Sequence, residues 1–205
     1  MPPVEGRDSL ATAGDFVHTE LTPAGQGIAS NLYALLERPD GPERRAACAA
    51  LAARAAAFDP DRLANRETIA LGWLLERMSE ESVARKFAGT LEEAYWDYFT
   101  GSNFNGLKTY LMAQYKLPGY EGMDPEKLMM NLNLYQNALI HNSPFRSKWE
   151  PVDRILELVG LKPGDAVIDY GCRQGFYSDR FRRIVGEKGM VYCLDNDRGH
   201  IDFLQ

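Results

Sequence analysis

Positive charge is in short supply in this chain. Its 205 residues carry 23 Lys and Arg against 29 Asp and Glu, a formal net charge of −6. That balance argues against a nucleic-acid backbone or an anionic membrane as the main partner. Cysteine is scarce too. Cys48, Cys172 and Cys193 are widely spaced and odd in number, so they form neither a disulfide framework nor a zinc pattern. Such usage suits a reducing, cytoplasmic setting. No apolar run approaches the ~20 residues needed to span a bilayer. The stretch Met1 to Asp8 lacks the basic start and apolar core of a secretory signal. Strand-like alternation is also missing before about residue 165, so the first three quarters of the chain read as helical.

What is present falls into three stretches. Residues 1–27 mix Gly, Pro, Thr and Asp with few large apolar groups and read as a loosely held tail. Residues 28–150 read as a helical domain. Ile28, Leu32, Leu35 and Leu36 share one helix face, stopped by Pro39-Asp40-Gly41. Pro42 to Phe58 is alanine-rich, and its small side chains invite a neighbouring helix to approach closely. A third helix is expected over Asp61–Met78, with a capped restart at Ser79 to Ser82 leading into a helix that ends near Phe99. Helices over Asn105–Leu117 and from Pro125, with Asp124 as its N-cap, complete the domain, and Asn142-Ser143-Pro144 ends the last one. Residues 151–205 then bring a short helix and a β-α-β start.

The most informative run is Asp165-Ala-Val-Ile-Asp-Tyr-Gly-Cys-Arg-Gln-Gly-Phe-Tyr-Ser178. Val167 and Ile168 suit a strand buried on both faces. Gly171 and Gly175 bracket a tight loop whose backbone can approach a ligand closely. The helix after it points its N-terminal amides into the loop. About twenty residues on, Met190 to Asp195 reads as a second strand ending in an acid, placed to meet the hydroxyls of a ribose. The nicotinamide dinucleotide fingerprint would need glycine at positions 173 and 176, where the chain has Arg173 and Phe176. A phosphate-binding loop is excluded by the missing Gly-Lys-Ser/Thr ending. A plain strand-helix turn with incidental glycines stays open.

The run from Val167 to Ser178 resembles motif I of the class I S-adenosylmethionine-dependent methyltransferases. Leu158 to Asp165 is similar to the family's lead-in, and Val185 to Asp195 to its second strand. The resemblance covers about residues 151–205. It implies an α/β fold in which an all-helical N-terminal domain precedes the beginning of a Rossmann-like sheet. It implies S-adenosylmethionine as cofactor, with Asp169 near its amino-acid end and Gly171, Cys172 and Gly175 beneath the methionine portion. Asp195 would then accept from the ribose hydroxyls, and Asn196 would face the adenine. The middle glycine of the motif is replaced by Arg173, which could pair with the cofactor carboxylate, fill the pocket, or simply face solvent.

The family's sheet has further strands, and this chain reaches only the second. The expectation is an N-terminal fragment of a longer enzyme, inactive alone, acting on a small-molecule methyl acceptor. The alternatives are a natural truncation that borrows strands from a partner, and a non-catalytic helical interaction or dimerisation module with a degenerate half-fold. In the helical domain, the aromatics Tyr95, Trp96, Tyr98, Phe99, Phe104, Tyr110, Tyr115 and Tyr120 read as core, as a subunit interface, or as the walls of a flat pocket. Asn133, Asn137 and His141 share a neutral polar face that reads as surface or as a hydrogen-bonding face for substrate. His141 is a conceivable general base without a visible partner; His18 and His200 are less constrained still. Glu80-Glu81 and Glu92-Glu93 read as solvated faces. The helical-domain-first layout resembles several small-molecule O-methyltransferases, in which that domain covers the substrate or builds a homodimer.

Overall fold

The structure is a computed structural model, described here for residues 22–80, 90–101, 103–119, 121 and 125–204, with the side chains of 125–131 and 133 set aside. Its helices among these residues are α1 (Pro23–Leu36), α2 (Pro42–Ala56), α3 (Leu63–Met78), α4 (Leu91–Thr100), α5 (Asn105–Gln114), α6 (Pro125–His141), α7 (Val152–Val159), α8 (Phe176–Val185) and α9 (Arg198–Phe203). Two strands, β1 (Ala166–Tyr170) and β2 (Met190–Leu194), form a small parallel sheet. The architecture is mostly helical with this β-α-β unit at its end, consistent with an α/β class. No helix among the described residues is long and apolar enough to cross a membrane.

Several helix ends are set by local chemistry. The first helix begins at Pro23, five residues before the expected Ile28. Thr22 Oγ1 accepts the Gly25 N–H at 3.0 Å, and proline at the first helical position loses no hydrogen bond. Ser79 does not restart a helix; it closes α3, its hydroxyl donating to the Glu76 carbonyl at 2.6 Å. The remainder of that expected restart lies outside the described residues, as do Asp124, Tyr120 and His18. The helix α4 starts at Leu91, with Thr90 capping the Glu93 N–H.

The helical core follows from the expected faces. Ile28, Leu32, Leu35 and Leu36 of α1 are all buried. The alanine face of α2 does bring a neighbour close: a Cβ added at Gly72 of α3 would lie 2.9 Å from Ala55 Cβ. Trp73 packs edge-on to Tyr95, ring centroids 5.0 Å apart, and Tyr95 meets Phe99 at 4.8 Å. Tyr135 of α6 then stacks on Tyr110 at 5.7 Å. Gly106 of α5 sits where any Cβ would overlap the Tyr135 hydroxyl. Tyr95, Phe99, Tyr110 and Tyr115 are buried in this core, and Trp96, Tyr98 and Phe104 pack against it. The described members of the aromatic set therefore serve as core.

One charged group lies inside that core. Glu67 of α3 is 2% exposed and accepts from Tyr110 Oη at 2.5 Å, Tyr115 Oη at 2.7 Å, Gln136 Nε2 at 3.3 Å and Gln114 Nε2 at 3.4 Å. A buried carboxylate is tolerated only when its lone pairs are met, and here four donors from α5, its C-terminal Tyr115 and α6 meet them. Burial, with the neighbouring Glu67 charge adding to it, pushes both phenols well above their ordinary range, so they remain donors.

In the sheet, Ala166 pairs with Met190 and the register runs on to Tyr170 with Leu194. Helix α8 packs on one face, over Val167, Asp169, Val191 and Cys193. The other face is uncovered: Ile168 is 62% exposed, Tyr170 89% and Tyr192 53%. The expected burial of β1 on both faces is thus corrected to one, because a single crossover helix covers a single side.

Candidate functional site

The carboxyl ends of both strands open onto the glycine loop. The loop turns from β1 into α8 through three left-handed residues, Gly171 (φ 77°), Arg173 (φ 50°) and Gly175 (φ 82°). At Gly175 the constraint is double, since a Cβ there would also meet Leu204 Cδ2 at 2.5 Å. Arg173 takes the same backbone region with a side chain, a conformation costing about 1 kcal/mol or more. Two contacts hold it: its N–H donates to Asp195 Oδ2 at 2.8 Å, and its guanidinium Nη1 donates to Asn137 Oδ1 of α6. Arg173 thus spans from the loop to the helical domain, and its side chain faces neither solvent alone nor an empty turn.

Asp195 lies just past β2 and is nearly buried, its side chain 4% exposed. Its Oδ1 accepts the Asp197 N–H at 2.9 Å and faces His200 Nδ1 at 3.1 Å, while Oδ2 takes the Arg173 N–H. Burial alone would raise its pKa, but these backbone donors and His200 together hold the carboxyl below the usual carboxylate range. Asp169, at the end of β1, accepts from Ser178 Oγ at 2.6 Å and so anchors the first turn of α8. Cys172 is buried behind the loop. Burial, then the neighbouring Cys193, Asp169 and Asp195, push its thiol up to about 12, so it is a protonated packing group and not a nucleophile.

A depression of 670 Å³ opens here, bordered by Gly171, Arg173, Asp195 and Asn196, with Asn137 from α6 and His200 from α9. Four of the sequence-predicted residues meet at it. Asp169, Cys172 and Gly175 shape the loop from beneath and do not border the depression. The Asn137–His141 face of α6 abuts the loop, where surface was the plainer expectation; the Asn133 side chain lies outside the described residues. His200, which showed no constraint in sequence, is 5% exposed and paired with Asp195. Its only sequence signal is its place five residues after that acid, across a turn that no helical or strand periodicity marks.

The helical domain clasps the loop at further points. Asn142 Nδ2 donates to the Gln174 carbonyl at 2.7 Å in a buried bond. Arg146 donates to the His141 carbonyl at 2.6 Å, forms a bidentate pair with Glu150 at 2.8 and 3.0 Å, and lies over the Phe176 ring at 4.6 Å. Tyr177 Oη donates to the same Glu150. Burial lowers the His141 pKa to about 4, helped by the charges of Arg173 and Arg146, so the ring is neutral at pH 7. Among the described residues, no cluster of three or more His, Cys, Asp and Glu could hold a metal ion.

Compared with family models, curated proteins and solved structures, the chain gives no match.

Proposed function

We propose that this chain carries the beginning of the cofactor domain of an S-adenosylmethionine-dependent methyltransferase with a helical N-terminal domain. The observation that carries the reading is a polar depression at the carboxyl ends of two parallel strands, where the glycine loop, Asp195 and Asn196 meet. Ligands of open α/β sheets bind at that end of the strands. The left-handed loop brings Gly171 to the rim of the depression, and among the described residues Asp195 Oδ2 accepts one hydrogen bond, leaving acceptor capacity for a hydroxyl. These features fit the adenosyl end of such a cofactor. The bare sheet face at Ile168, Tyr170 and Tyr192 supports a Rossmann-like sheet with more strands and layers than the two described here.

In this reading the chain's own residues bind and orient. Asp195 and Asn196 hold the nucleoside, Gly171 and Arg173 line the path of the loop, and α6 borders the depression through Asn137. The cofactor, when bound, supplies an electrophilic methyl on a sulfonium. The rate gain comes from aligning a small-molecule acceptor with it. Calorimetric titration with S-adenosylhomocysteine tests the reading, with saturable heat expected. No heat from the wild-type chain, and none gained by Arg173→Gly, would favour the second reading instead, a non-catalytic helical module with a degenerate half-fold. The three hydrogen bonds already made by the buried Asp195 carboxylate favour that alternative.

A further inference from the structure

Asp195 is well placed for a ribose but spends most of its capacity within the chain. Three of about four lone-pair directions on a carboxylate are taken, by the N–H groups of Arg173 and Asp197 and by the His200 ring. The His200 ring presents the reverse situation. Nδ1 faces Asp195 Oδ1 at 3.1 Å, and a carboxylate can only accept, so Nδ1 carries the proton. In the Nδ1–H tautomer this leaves Nε2 as a bare acceptor. Nε2 is buried and has no hydrogen-bond partner among the described residues, while its residue borders the same depression as Asp195, Gly171 and Asn196. A desolvated acceptor without a donor is costly, about 1–3 kcal/mol, and a ligand hydroxyl that reaches it recovers that cost.

We infer that His200 is the chain's second acceptor for a vicinal diol, its Nε2 meeting one ribose hydroxyl while Asp195 Oδ2 meets the other, with Asp195 also positioning the ring. The pairing follows the usual arrangement in which a carboxylate on one ring nitrogen fixes what the other can bind. This inference rests on the adenosyl reading above and adds to it a residue, a ring nitrogen and a division of labour. It specifies a ribonucleoside ligand, since a 2′-deoxyribose keeps one hydroxyl and can serve only one of the two acceptors.

The test compares adenosine with 2′,3′-dideoxyadenosine by ligand-observed NMR on the wild-type chain and on His200→Phe, with S-adenosylhomocysteine as reference ligand. The expected result is a loss of about tenfold for adenosine on substitution, with dideoxyadenosine binding changed less than twofold. A second measurement covers the case in which His200→Phe fails to fold. In ¹⁵N-histidine-labelled wild-type protein, the His200 ring is expected as the Nδ1–H tautomer, with Nε2 shifted by adenosine and unmoved by dideoxyadenosine. Adenosine binding with an unmoved Nε2, or a ring protonated on Nε2, overturns the inference and leaves the cofactor reading standing. If neither adenosine nor S-adenosylhomocysteine binds, both fall.

Discussion

The helical region and the β-α-β unit handle their apolar side chains in opposite ways. Ala29, Leu32, Leu71, Leu74 and Phe99 of the helices are fully buried, whereas Tyr170 on β1 is 89% exposed and Ile168 62%. Helices meet on several sides, so each apolar stripe finds a partner among α1 to α6. A two-stranded sheet with one crossover helix has one covered face and one bare one. The contrast teaches that the helical region carries its own core, while the β-α-β unit is held mainly where the helical region grips its loop. The grip is polar and specific: Asn142 to Gln174, Arg173 to Asn137, and Arg146 over Phe176.

The strongest challenge to this contrast is at the buried charge. Glu67→Ala removes the acceptor for two phenols and two amides, and the expected loss is about 3 kcal/mol or more of unfolding free energy, read by urea denaturation. A loss under 1 kcal/mol would show that the helical core does not depend on this hub. Next comes acid sensitivity at the junction. His141 has a folded pKa of about 4 against an ordinary 6.5. Below 6.5 the unfolded chain takes up a proton that the folded chain refuses, so stability falls as pH drops from 6.5 toward 4, by up to about 3 kcal/mol. Glu150 and Asp195, both held below the usual carboxylate range, add losses only at lower pH. Urea midpoints across that window should be flatter for His141→Gln; an equal slope in both proteins would place the titration elsewhere.

Smaller effects sharpen the boundary between the regions. Asn142→Ala breaks the buried bond to the loop and should cost about 1–2 kcal/mol, with hydrogen exchange rising first in the loop at Gln174 and in α8 and hardly at all in α1 to α3. Uniform exchange across the chain would mean that the two regions unfold as one. At the bottom of the scale, Tyr170→Ser on the bare face should change stability by less than about 0.5 kcal/mol. A cost near 2 kcal/mol would reveal that this face is covered in solution.

Much of the fold was legible along the chain because helix faces and glycine turns are local. Ile28 to Leu36, the alanine stretch of α2, the loop at Gly171 to Gly175 and the acid at the end of β2 each announce themselves within a few residues. The start of α1 was misplaced because the Thr22 cap is a single polar contact within a segment that reads as loose. The site was legible only in part. Gly171, Arg173, Asp195 and Asn196 were singled out and do border one depression, but the contacts of Asn137 and His200 there were not foreseen, since Asn137 lies 36 residues from Arg173 and His200 pairs across an unpatterned turn. The Glu67 hub was invisible for the same reason, its donors lying 43 to 69 residues away.

By itself the sequence determined where helices and strands form and where the backbone must turn left-handed, because propensity, apolar period and the missing Cβ of glycine act over short spans. Only the tertiary structure decided which polar groups meet. Whether Arg173 fills its loop or reaches across it depends on Asn137 standing opposite. Whether Asp195 meets a histidine depends on how α9 folds back. Those outcomes turn on burial and on a few hydrogen bonds between distant segments, and no local pattern encodes them.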